Sequence, residues 1–314
     1  MELRQIRQFV ALADTLNFHR AAKLLNMSQP PLSISMQKLE QEMDVTLFER
    51  LSRGVALTEA GLAALPHARK ILHGVDMMRD AASATVNGIG GRIGVGFVGS
   101  AVYGLLPKVV PLFRAERPQV ELRLREDTTL EILKALESGE LDIGVLRTPI
   151  LDAGEMHIEM LYREEMILVL PNDHPLRTRE TVRLEDLRGE TFIGYDRMRL
   201  PSYHALTLGA YDSAGFQPRV IEEAAHAQTL IALVESGIGI ALAPAVSRIP
   251  GANRVSYARL TARGSPIWIG LALATRGGES RPALEAFKVA LRTAVARMAK
   301  DDPTMSVAET DPMA

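Results

Sequence analysis

Between Phe18 and Gly61 the chain reads FHRAAKLLNMSQPPLSISMQKLEQEMDVTLFERLSRGVALTEAG. A short helix fits Phe18 to Leu25, where Ala21 and Ala22 are small enough for close packing. NMSQPP then interrupts it. Ser28 suits an N-cap, and Pro30 and Pro31 are tolerable only in the first turn of a new helix. From there Leu32, Met36, Leu39 and Met43 form one apolar stripe. Upstream, Leu3, Ile6, Phe9, Val10 and Ala13 recur at helix spacing, which predicts a supporting helix. Downstream, Ser52 to Val55 reads as a hairpin tip, and Thr58 as the cap of a long helix. The pattern is a short helix, a tight turn and a longer helix, followed by a hairpin.

In such a motif the second helix enters the DNA major groove and its first residues meet base edges. Here those residues are Ser28, Gln29, Pro30 and Ser33. Gln29 can pair bidentately with adenine, and Ser33 can bond to base or phosphate. Ile34 and Gln37 share the outward face, and Ile34 suits contact with a thymine methyl. Arg50 and Arg53 flank the hairpin tip, where they would meet phosphate or the minor groove. Charge gives no support of its own. Residues 1–60 hold seven Lys/Arg and seven Asp/Glu, and the whole chain carries −2. Any basic surface must be local, and the spacing alone also fits helical proteins that never touch DNA.

A chain of 314 residues is comfortable for two or three domains. Hydrophobic content of 47% and charged content of 24% place it with soluble globular proteins. The absence of cysteine excludes disulfides and thiolate metal sites. Glu2, Arg4 and Arg7 stand where a secretion signal needs an apolar core, and the run Ile238 to Val246 is too short for a bilayer. The expectation is a cytoplasmic protein with no membrane partner. After Thr58, the positions Ala64, Ala68, Ile71, Val75, Met78, Ala82 and Thr85 are spaced by four and three, a heptad seam. Pro66 should kink this helix. The alanines weaken the seam, so a lone amphipathic helix packed on its own domain stays open as an alternative. Asn87 to Gly91 ends the helix and marks a boundary.

From Arg92 short apolar strands alternate with helices, an α/β texture. ILKALESGELDIGVL (Ile132 to Leu146) is echoed 98 residues later by LIALVESGIGIALAP (Leu230 to Pro244). Both copies read as helix, Gly C-cap and buried strand. Leu106 to Leu122 is echoed more loosely by Leu200 to Glu222. One repeat at this period implies two similar lobes, and lobes joined by crossing strands leave a cleft for a small ligand. The stretch GRIGVGFVGS (Gly91 to Ser100) contains G-x-G-x-x-G, but the glycines alternate with Ile93, Val95 and Phe97 inside a strand. A dinucleotide site needs its strand before the first glycine, so none is expected, and neither a cofactor nor a metal is called for. Ser100 instead follows the strand, at the expected start of the next helix. A second helix start falls at Asp127-Thr128-Thr129, and Arg147 follows the buried strand LDIGVL. Helix termini, hydroxyls and a guanidinium converging on a cleft describe a carboxylate site. Ser100 and Thr128 can equally be simple caps, and Arg147 a surface charge.

The Phe18–Gly61 stretch resembles the N-terminal domain of LysR-type transcriptional regulators: the AA pair, SQPPLS, LE, LFER and LTEAG fall in family order. The resemblance runs through almost the whole chain. It implies a winged helix-turn-helix at 1–58, a linker helix at 59–88 that makes a homodimer, and a two-lobed, periplasmic-binding-protein-like α/β effector domain at 89–299. Lobe I would take about 92–163 and 268–299, lobe II about 164–267, and 300–314 would be a disordered tail. It also implies double-stranded promoter DNA, a small-molecule effector and RNA polymerase as partners, and commonly a homotetramer. Many members carry a basic residue where Ile34 stands, which leaves base preference there open. GFVGSAVYGLLP is similar to the muconate- and benzoate-responsive members that regulate aromatic catabolism. By matching position that likeness implies effector contacts from Ser100, Thr129 and Arg147, and from Pro201, Ser202 and Tyr203 in the second lobe. The implied effector is a small organic acid, a dicarboxylate or an aromatic carboxylate.

Enzyme chemistry finds little footing. The seven histidines are scattered without metal-ligand spacing, and no G-x-S-x-G elbow or P-loop is present. The pair Glu164-Glu165 reads as solvated charge at a lobe junction. A transport-type solute-binding module is the third reading, and the N-terminal DNA-binding pattern argues against it.

Overall fold

The computed structural model describes residues 1–301 and 305–307, apart from 52–53, 88–90, 249–253 and 279–280. It divides into two compact units, one centred on Met1–Gly91 and the other on the residues from Arg92 onward.

The first unit contains α1 (Leu3–Thr15), α2 (Phe18–Leu24), α3 (Gln29–Met43), β1 (Phe48–Arg50), β2 (Val55–Leu57) and α4 (Glu59–Asn87). A capping box opens α1, in which the Glu2 N–H donates to Gln5 Oε1 at 2.6 Å. Asn17 caps α2 by accepting from the Arg20 N–H at 3.0 Å. Ser28 occupies the N-cap of α3 in extended conformation, yet its side chain makes no capping bond, and the prolines alone set the first turn. Ile6, Phe9, Ala13, Leu32, Met36 and Leu39 are buried together, whereas Leu3 and Met43, expected in the same stripes, are exposed. β1 and β2 form an antiparallel hairpin, with Arg50 opposite Val55. Glu40 ties this wing to α3, its Oε1 accepting the Leu47 and Phe48 N–H groups at 2.8 and 3.1 Å. Thr58 caps α4 by accepting from the Gly61 N–H at 3.0 Å. Gly61 is required there, because a Cβ would sit 2.2 Å from the Leu47 carbonyl oxygen. Helix α4 runs unbroken through Pro66. Ala64 and Ala68 of its seam pack on the domain's own core, while Ile71 and Met78 face solvent. The side chains at Ala82 and Thr85 lie outside the described residues.

The second unit opens with β3 (Gly91–Phe97), α5 (Leu106–Glu116), β4 (Val120–Glu126), α6 (Thr129–Glu137), β5 (Ile143–Thr148) and the long β6 (Met156–Pro171). The chain then builds β7 (Thr181–Arg183), β8 (Thr191–Tyr195), α7 (Pro201–Ser213), β9 (Arg219–Ala224), α8 (Ala227–Glu235) and β10 (Ile240–Pro244). It closes with β11 (Val255–Ala262), β12 (Ser265–Pro266), β13 (Trp268–Arg276), α9 (Pro282–Asp301) and β14 (Met305–Val307). The internal echo is a structural repeat. Each lobe carries strand, helix, strand, helix, strand, and the sheet orders β4-β3-β5 and β9-β8-β10 correspond. Gly139 and Gly237, with φ of +79° and +77°, end the two echoed helices. Gly96 lies inside β3, where a Cβ would come within 2.5 Å of Leu141 and 2.9 Å of Ile132. Close helix approach therefore accounts for that glycine.

Two features differ from expectation. Ser100 lies in a 3-10 turn, Gly99–Val102, and the next α-helix begins only at Leu106. The tail expected to be disordered from residue 300 continues α9 to Asp301 and supplies β14, which pairs antiparallel with β6 at Tyr162–Glu164. Backbone pairing with an available strand edge offsets its polar composition.

β6 joins the lobes. Its first part pairs with β13 in lobe I and its last part with β10 and β11 in lobe II. The chain crosses back between β12 and β13, where the Met166 N–H donates to the Ile267 carbonyl at 2.7 Å. At this crossing Glu164 and Glu165 are buried, not solvated as the sequence suggested. Glu165 accepts a two-pronged bond from Arg259, at 2.7 and 2.6 Å. Glu164 Oε1 lies 2.7 Å from Arg147 Nη1, with both side chains about as buried as any in the protein (1% and 2% exposed). Its Oε2 accepts the Val246 N–H of lobe II at 2.6 Å.

Two outcomes follow from these contacts. Glu40→Ala leaves two wing N–H groups unsatisfied and should destabilise the first unit by about 1–3 kcal/mol in urea unfolding. Glu164→Gln strands the buried Arg147 charge and should destabilise the larger unit by about 3–5 kcal/mol, whereas the apolar double variant Arg147→Met/Glu164→Leu recovers most of that loss. Thermal melting of the full chain checks the second.

Candidate functional site

Two surfaces carry the residues that the sequence singled out. On the first unit, Ser28, Gln29 and Pro30 are exposed at the start of α3, Ile34 is 65% exposed, and Gln37 is exposed one turn on. Ser33 is half-buried. The N-terminal half of α3 thus presents one polar face with a single apolar contact point. Arg50 is placed on β1 beside the turn of the wing, and Gly54 at that turn has φ +92°. Arg53 lies outside the described residues, as does the Arg50 side chain.

Gln8 was not anticipated. It is buried on α1, its Oε1 accepts from the Ser35 hydroxyl of α3, and its Nε2 donates to Met27 Sδ at 3.4 Å. One amide therefore fastens both the turn and α3 to α1. The only available signal was its place four residues before Leu12, on the apolar side of α1.

The second surface is a cleft of about 210 Å³ between the lobes. Lobe I supplies Thr129 and Arg147, with Leu130, Leu133, Ile150 and Leu151 as an apolar wall and Asp152 at the lip. Lobe II supplies Arg199, Leu200, Pro201, Ser202 and Tyr203, the loop and first turn of α7. Five of the seven sequence candidates line it: Thr129, Arg147, Pro201, Ser202 and Tyr203. Ser100 stands behind, its hydroxyl accepting from Arg147 Nε at 2.9 Å. The Thr129 hydroxyl accepts from the Arg147 N–H at 3.3 Å and so joins α6 to β5. Thr128 is not at the cleft. Its hydroxyl caps α6 by accepting from the Glu131 N–H at 3.3 Å.

The electrostatics of the cleft hinge on Arg147. Burial disfavours its charge, but Glu164 beside it more than compensates and holds its pKa above the ordinary value. The pair contributes no net charge to the cleft. Nη2 of Arg147 finds no hydrogen-bond acceptor among the described residues, so a donor remains. Burial pushes the Tyr203 and Tyr195 hydroxyls up, with Arg147 pulling the other way, and both stay neutral hydrogen-bonding groups near neutral pH. Their rings lie 4.4 Å apart. First-turn N–H groups at Thr129, Ser202 and Tyr203 add positive potential from both lobes. The arrangement suits a small molecule with an anionic head and an apolar body. No metal-binding cluster of His, Cys, Asp or Glu occurs among the described residues. No described helix is long and apolar enough to cross a membrane. Glu164, Asp152 and Arg199 were not anticipated. Acids embedded in a run bound for a buried strand, YREEMILVLP, were the signal for the first.

Comparison with known proteins agrees with this division. Residues 3–62 match the bacterial regulatory helix-turn-helix protein, lysR family, and residues 87–296 match the LysR substrate binding domain. The transcriptional regulator AlsR of Bacillus subtilis (strain 168) is 38% identical over 248 residues, 79% of this chain and 82% of its own. The Hca operon transcriptional activator HcaR of Escherichia coli (strain K12) is 34% identical over 287 residues, 91% of this chain and 96% of its own. Full-length CbnR, in a crystal structure with its target DNA, superposes with a TM-score of 0.72 at 28% identity, covering 94% of this chain and 100% of that one. Full-length BenM gives 0.59 at 30% identity, over 95% and 98%. These relatives are regulators and not enzymes. A helix-turn-helix unit followed by a two-lobed binding unit, matched along nearly the whole chain, makes this protein a member of the LysR family of transcriptional regulators.

Proposed function

We propose that this regulator reads promoter DNA through the start of α3 and is switched by a small organic acid held between the two lobes of its larger unit. The observation that carries the reading is the cleft. It is lined from both lobes, walled by leucine and isoleucine on one side, and flanked by two helix N-termini and hydroxyls on the other. A muconate-like dicarboxylate or an aromatic carboxylate fits that chemistry and the resemblance to the regulators of aromatic catabolism. The chain forms a dimer through α4, whose exposed Ile71 and Met78 continue the heptad seam, and dimers pair into tetramers. Acid binding changes lobe closure, shifts the tetramer between two geometries and alters its contact with RNA polymerase. The ligand moves that equilibrium only as far as its affinity for the two states differs.

Ser202→Trp tests the cleft. A tryptophan side chain there fills much of the available volume, so operator binding should persist while its response to cis,cis-muconate or benzoate disappears in a gel-shift titration. An unchanged response places the effector elsewhere. Gln29→Ala tests the DNA surface. It should lose about 1–3 kcal/mol of discrimination between the selected operator and single-base variants. An equal loss on operator and random DNA assigns Gln29 to the phosphate backbone instead.

A further inference from the structure

We infer that Arg199, at the lip of the cleft, supplies the net positive charge that recognises the effector's carboxylate, while Arg147 serves as a neutralised structural bolt. The inference rests on the acid-effector reading and names the residue that reads the acid.

The argument is one of charge. Arg147 lines the cleft, but Glu164 already stands 2.7 Å away and the pair is sealed from water. Arg147 therefore offers an incoming carboxylate little net attraction. Two further charged side chains line the cleft, Arg199 on lobe II and Asp152 on lobe I. The Arg199 guanidinium enters no ion pair among the described residues, and it is exposed. Its backbone is nevertheless fixed. The Asp196 carboxylate accepts the Met198 and Arg199 N–H groups at 2.9 and 3.0 Å, and the Asp196 carbonyl accepts the Leu200 N–H at 2.8 Å. Arg199 stands two residues before the first residue of α7, Pro201, so the guanidinium and the open N–H groups of that helix act on the same lip. Asp152 makes the opposite lip anionic, and its carboxylate is partly engaged by the Gly154 N–H at 2.9 Å. A bound acid therefore lies with its head toward lobe II and its apolar body toward Leu133 and Ile150. The rival role for Arg199 is a latch to Asp152 when the cleft closes.

Titration calorimetry on the full chain separates these, with benzoate and cis,cis-muconate as acids and benzamide as the neutral analogue of benzoate. Arg199→Gln should weaken benzoate by about ten-fold or more and leave benzamide unaffected, because one charge-assisted contact is lost. Arg199→Lys should restore part of the benzoate affinity. Asp152→Asn should leave benzoate binding equal or tighter, since a like charge is removed. Equal benzoate affinity in wild type and Arg199→Gln overturns the assignment. So does loss of benzoate affinity in Asp152→Asn to match Arg199→Gln, the signature of a latch. Failure of the wild-type protein to bind either acid overturns the acid-effector reading itself, a result distinct from both.

Discussion

The buried ion pair between Arg147 and Glu164 is the contact around which the larger unit is organised. Removing two charges from water costs several kcal/mol for each ion, and the cost is met only where the geometry is complete. Here it is nearly so. Glu164 takes a second donor from Val246 in lobe II, and Arg147 gives its Nε proton to Ser100 in lobe I. The pair sits where β6 passes from one sheet to the other, so four elements from two lobes share one charge balance. β14 lies along the same stretch of β6 and pairs with Glu164 through the backbone. A change in lobe angle must rearrange this cluster or pivot around it. Packed clusters of this kind change between discrete arrangements rather than deforming continuously.

The DNA-reading unit solves a different problem. With no net charge over residues 1–60, it has no large field to draw it to DNA, and the pose of α3 carries more of the burden. That pose is held from three sides. Gln8 fastens the turn and α3 to α1, Glu40 fastens α3 to the wing, and the wing is anchored at its turn by the Val55 N–H donating to the Leu16 carbonyl at 3.3 Å. The base-edge readout proposed for α3 would act from this fixed platform.

Much of this was legible in the sequence, for identifiable reasons. Helix period, paired prolines and the Thr58 cap are local signals, and they locate α1 to α4. The Glu-Ser-Gly echo located two lobes, because each copy packs one helix on one strand with a glycine between them. Thr129 and Arg147 could be placed at the cleft because helix starts and strand ends of a two-lobed domain converge there, whereas Ser202 came only from the family likeness. The misses are pairings across distance. Nothing beside Glu164 in the chain announces Arg147, seventeen residues away on another strand, and so a buried ion pair read as solvated charge. Gln8 and Ser35 meet only when α1 and α3 pack. β14 follows polar residues, and only the free edge of β6 gives it a place. Composition reports what a segment prefers alone, and each of these segments is decided by a partner.

The central claim is that an acid between the lobes changes how the DNA-reading unit holds its promoter. Trp268 is the single tryptophan of the chain and opens β13 at the lobe crossing, with Arg163 over its ring at 5.9 Å. Its emission therefore reports on the crossing itself. The most direct measurement is a titration of the protein on its fluorescently labelled operator with cis,cis-muconate or benzoate, following Trp268 emission and operator anisotropy in the same sample. The account predicts that both signals change and saturate together at one acid concentration. A change in anisotropy with no change at Trp268, or a change at Trp268 that leaves the operator complex untouched, would contradict it.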